Sequence, residues 1–92
     1  MVSIIEKVAR CLGIPPEELE REAIELWFKH KLALVEAEIA ETLTKYDVRS
    51  IEELEENIRK GKIAEHPAWE DLIVLERLLE EKRKIMAVQS RT

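Results

Sequence analysis

From Pro16 to Tyr46 apolar residues recur at helical spacing for about eight turns, with no glycine and no further proline to interrupt them, so the pattern predicts one long helix. Placing successive residues 100° apart puts Ile24, Phe28, Leu32, Val35, Ile39, Leu43 and Tyr46 on one stripe. Leu19, Leu26, Ala33, Ala37 and Ala40 fall on a second stripe roughly 160° away. A helix with two opposed apolar faces must be covered on both.

The flanking patterns are shorter. Ser3 caps a first helix over 3–12, whose apolar positions are Ile4, Ile5, Val8, Ala9 and Leu12. Cys11 falls beside Val8 and Leu12 and is expected to be a buried small hydrophobe. Gly13 should close this helix in the left-handed conformation, with Ile14 as the accompanying apolar contact. Pro15 and Pro16 forbid continuation, and Pro16 opens the long helix over 16–46, with Glu17, Glu18 and Glu20 at its positive dipole end. Glu25/Lys29 and Glu41/Lys45 are spaced to pair along it.

After the exit at Tyr46–Arg49, Ser50 and Glu53 form a capping box that opens a helix over 50–60. Ile51, Leu54 and Ile58 make its buried edge, Glu55/Arg59 and Glu56/Lys60 pair on the wet side, and Gly61 stops it. A loop to His66 leads to Pro67 at the first turn of a last helix over 67–88. Ala68, Leu72, Leu75, Leu79 and Met86 give that helix a heptad-like stripe, flanked by Val74, Leu78 and Ile85. Lys82, Arg83 and Lys84 then fall near its negative end, and the terminal Gln-Ser-Arg-Thr is expected to fray.

These elements predict a single all-α domain over 1–92, a long helical hairpin with two short helices. A helix from Pro16 to Tyr46 would be a rod of about 46 Å. A compact chain of this size is only about 30 Å across. Either the rod bends near Lys29–Lys31, or it is covered by a second copy in a dimeric helical bundle. The last helix has one broad apolar side and covers one stripe. The other stripe is expected to form the interface, through Leu19, Ala23, Leu26, Trp27, His30, Ala33, Leu34, Ala37 and Ala40.

Composition narrows the functional classes. Hydrophobic residues make up 46% of the chain, enough for a core, while charged residues make up 38% and aromatic residues 4%. With two glycines and three prolines the chain is helix-rich and loop-poor, and its Glu, Lys and Arg content is the bias of a heat-adapted protein. A net charge of −5 opposes broad binding to nucleic acid or to an anionic membrane and favours a basic partner. No apolar run is long enough for a membrane span, and no leader pattern opens the chain, so a cytoplasmic location is expected.

Candidate chemistry is sparse. Ala9, Gly13 and Leu19 have the offsets of a helix-turn-helix, but the would-be recognition helix opens with Glu17, Glu18, Glu20 and Glu22, which would repel a phosphate backbone. His30 and His66 have no glutamate three residues earlier, which excludes a di-iron bundle. Glu38-x-x-Glu41 supplies half of the Mg²⁺ pattern of all-α nucleotide pyrophosphohydrolases, but Ala68 stands where the second half needs a glutamate before Asp71. No phosphate loop or nucleophile–base set is present, so no catalytic, cofactor-binding or metal-ligating residue is assigned.

Several segments resemble short archaeal proteins treated as antitoxin-like: Ile14-Pro15-Pro16-Glu17-Glu18-Leu19-Glu20-Arg21-Glu22-Ala23, Lys45 through Glu53, Gly61-Lys62-Ile63, and Ala68-Trp69-Glu70-Asp71-Leu72. The resemblance spans residues 14 to about 79. It implies association with small ribonuclease toxins, including PIN-domain enzymes. It does not extend to an N-terminal strand of the ribbon-helix-helix or swapped-hairpin kind, and so implies no promoter binding. The expected function is a non-enzymatic, homodimeric interaction module that neutralises a basic ribonuclease. The alternatives are a small metal-dependent nucleotide hydrolase and a purely structural assembly domain.

Overall fold

The structure is a computed structural model that describes residues 3–91. It contains four helices and, among the described residues, no strand: α1 (Ile4–Leu12), α2 (Pro16–Lys45), α3 (Ile51–Arg59) and α4 (Glu65–Ser90). The chain divides into two compact units, residues 1–31 and 32–92, with the division falling inside α2.

Local sequence sets the helix ends. The Ser3 hydroxyl accepts from the Glu6 amide at 3.2 Å, as its capping role requires. Gly13 and Gly61 sit at φ 71° and φ 77°, the left-handed region that a side chain disfavours. At each, two amides turn back on the preceding helix: Ile14 to the Ala9 carbonyl and Gly13 to that of Arg10, then Lys62 to Asn57 and Gly61 to Ile58. The end of α2 uses the same motif without a glycine. Asp47 takes φ 53°, its amide bonds Thr44, and the Val48 amide bonds Leu43 at 3.0 Å. Val48 is buried as a result.

In the unit 32–92 the core is built where α3 meets α4. Leu54, Leu72 and Leu75 are its largest fully buried side chains, joined by Val48, Ile58 and Ala68. Ile39 and Leu43 of α2, and Tyr46 just beyond its end, pack against this cluster, so the last part of the expected stripe and the expected edge of α3 both face it. Two ion pairs fix the direction of the hairpin: Lys45–Asp71 at 2.9 Å and Glu36–Lys82 at 3.4 Å. Advancing along α2 means retreating along α4, so the two helices are antiparallel.

Several expectations are corrected. Lys45 turns to Asp71 across the hairpin rather than to Glu41 on its own helix. The Glu53 carboxylate accepts from the Arg49 amide at 2.9 Å, one residue before the cap, while Ser50 accepts from the Glu53 amide at 3.1 Å. Regular helical geometry in α4 begins at Pro67 as expected, because His66 is extended, and the His66–Pro67 peptide is cis. The helix then continues through Ser90, so Lys82, Arg83 and Lys84 lie well inside it rather than at its end, and only Thr92 of the expected frayed tail falls outside the described residues.

The buried line of α4 also migrates. Leu72, Leu75, Leu78 and Ile85 are buried, whereas Met86 is exposed. Each step of three residues falls about 60° short of a full turn. The line therefore slides off the heptad stripe before it reaches Met86.

Candidate protein-interaction surface

The unit 1–31 buries little. Among its described residues only Ala9 and Phe28 are buried hydrophobics. On α1 the burial of Ala9 places Cys11, two residues and about 200° further on, on the opposite side. Cys11 is accordingly exposed, which corrects the expectation of a buried thiol. Ile4 is 79% and Leu12 63% exposed, and Val8 is exposed as well, so the apolar side of this strongly amphipathic helix remains in water.

The first half of α2 repeats the pattern. Phe28 is buried and carries Trp27 edge-on against its ring, with centroids 5.4 Å apart and planes at 73°. Trp27 itself is 54% exposed and Leu26 67% exposed. Ala23 and His30 are exposed and Leu19 is half-buried. Ile24, which the stripe reading placed inside, is exposed. In the second half of α2, within the other unit, Ala33, Leu34, Ala37 and Ala40 are all exposed. Every residue assigned to the interface from the sequence therefore lies on α2, and within this chain only Leu19 is appreciably covered.

A second feature went unmarked in the sequence. A groove of about 580 Å³ lies between α3 and the start of α4, lined by Ile58 and Trp69 with charged side chains around them. Trp69 is 51% exposed because Ala68 and Leu72 take the inward positions of that turn. Glu55 is held by Arg59 at 3.0 Å, and Glu70 stands 3.4 Å from the His66 Nδ1. The signal available in the sequence was an aromatic residue two positions after a helix-opening proline, with acids spaced about one turn around it.

No group of three or more His, Cys, Asp or Glu side chains among the described residues is arranged to hold a metal ion, so Glu38 and Glu41 gain no complement from α4. No helix among them is long and apolar enough to cross a membrane. The chain belongs to the Uncharacterized protein MJ0235 family, whose sequence profile matches residues 1–90. Neither the curated proteins nor the solved structures contain a significant match to it.

Proposed function

We propose that this member of the MJ0235 family is a non-enzymatic, cytoplasmic interaction module that self-associates as a homodimer and, in antitoxin-like fashion, occludes a basic partner such as a small ribonuclease. The observation that carries this reading is the exposed apolar surface of the unit 1–31, led by Leu26 and Trp27 on α2 and by Ile4 and Leu12 on α1. Exposed apolar area forgoes about 25 cal/mol per Å². Segments below about 40 residues rarely hold a core without help from association. Large exposed patches on small proteins mark binding surfaces.

A second copy is the simplest occupant. The exposed Ala33, Ala37 and Ala40 leave room for another helix to approach closely, and a two-fold axis lets one surface serve both partners. The net charge of −5 supports a basic protein over a nucleic acid as the further partner. The Glu-, Lys- and Arg-rich surface supports a heat-adapted origin.

Sedimentation of the isolated chain at micromolar concentration should give the mass of a dimer. Ala37→Glu and Leu26→Glu should reduce it to a monomer with its helix content retained, since both positions are exposed within the chain. A wild-type monomer would overturn self-association. Co-expression with the product of a flanking gene tests the antitoxin-like part: no complex and no relief of toxicity would remove it.

A further inference from the structure

We propose that the groove between α3 and α4 is a receptor for an arginine side chain presented by a basic protein segment. This deepens the reading of the protein as an interaction module by assigning the partner a site of its own, separate from the exposed face of α2. The groove has an aromatic wall and an acidic rim. Trp69 offers about half of its surface, and Ile58, itself nearly buried, completes the apolar lining.

Around that lining stand three carboxylates, Glu55, Glu65 and Glu70, against one permanent cation, Arg59. Glu55 is engaged by Arg59 along its own helix. The contact of Glu70 with His66 is an ion pair only when the imidazole is protonated. The Glu65 side chain has no ion pair or hydrogen bond among the described residues.

Charge and shape select the occupant. An anion would meet the carboxylates and the negative face of the indole, both repulsive. A neutral apolar group would cover the carboxylates without pairing them, which costs free energy. A guanidinium satisfies both walls: its plane stacks on the indole, and its edge presents a fork of N–H donors to a carboxylate. At about 580 Å³ and open to solvent, the groove exceeds one side chain, which suits a residue carried on a segment of backbone better than a free amino acid.

The test uses the full chain labelled with ¹⁵N. Its two tryptophans, Trp27 and Trp69, give two indole N–H resonances, assigned with Trp69→Phe. A capped tripeptide with arginine at its centre should move the Trp69 resonance saturably and leave that of Trp27 in place. The same tripeptide with citrulline, of matching shape but neutral, should not. Glu65→Gln combined with Glu70→Gln should weaken the arginine peptide roughly fourfold, as should Trp69→Ala, the latter followed through the backbone amide resonances of the same ¹⁵N-labelled chain.

No movement of the Trp69 resonance, equal movement with citrulline, an affinity unchanged by these substitutions, or movement produced instead by an RNA oligonucleotide would each overturn the assignment. The sedimentation result stands apart from this one. A monomer whose Trp69 responds to arginine loses self-association and keeps the groove, and a dimer without that response loses the groove alone.

Discussion

The Tyr46 hydroxyl donates a hydrogen bond to the Asp71 carboxylate, tying the end of α2 to the start of α4 across the hairpin. The Lys45 ammonium donates to the same oxygen at 2.9 Å and lies 5.3 Å from the centre of the Tyr46 ring. The last residue of α2 and the residue that follows it thus converge on one carboxylate, which fixes the end of α2 against the start of α4.

This latch makes stability depend on pH at both ends of the scale. The hydrogen bond from Tyr46, and then that from Lys45, hold the Asp71 carboxyl below its ordinary value. Its contribution is present above the unfolded value of about 3.9 and is lost as pH falls through the lower folded one. Burial, and then the bond to Asp71, push the Tyr46 phenol upward, so its contribution is complete below about 10 and is lost as pH rises through the raised folded value. Tyr46 is the only tyrosine, so absorbance near 295 nm follows it directly. Its titration should shift downward in Asp71→Asn, and Tyr46→Phe should cost roughly 1 kcal/mol in urea unfolding. An unchanged tyrosine titration in Asp71→Asn would show that the latch does not form.

The migrating buried face of α4 separates two neighbouring residues. Ile85→Ala empties a buried position and should cost about 2 kcal/mol. Met86→Ala changes an exposed one and should stay within about 0.5 kcal/mol. Thermal or urea unfolding of the two variants decides the matter, because a strict heptad stripe would reverse their order.

Asp47 holds φ 53° where the other left-handed turns use glycine. Asp47→Val puts a branched side chain into that conformation and should lower stability by about 1–2 kcal/mol. Asp47→Gly should hold the melting temperature or raise it, since relief of the left-handed backbone opposes the added freedom of the unfolded chain. Equal melting temperatures for the Val and Gly variants would show that the turn is not held there.

Much of this fold can be read from local pattern. Ser3, Gly13, Pro16, Ser50 and Gly61 act at helix ends through atoms a few residues away, so their effect is fixed by the residues themselves. The buried edge of α3 and most of the apolar stripe of α2 follow from the 3.6-residue period. The exposed face of α2 was legible as a second stripe because two opposed faces cannot both be covered by one partner helix. The groove at Trp69 was not legible, since it exists only where the end of α3 and the start of α4 stand side by side.

The sequence by itself therefore determined which segments are helical and where they stop, because capping groups, prolines and left-handed glycines act within a turn or so of their own position. Only the tertiary structure decided that Lys45 leaves Glu41 for Asp71, that Ile85 rather than Met86 turns inward, and that Cys11 faces water once Ala9 is buried. Each of those outcomes depends on which side a helix presents to a neighbour distant in sequence. Periodicity states that a helix has an apolar side, and the neighbour it meets decides how that side is turned.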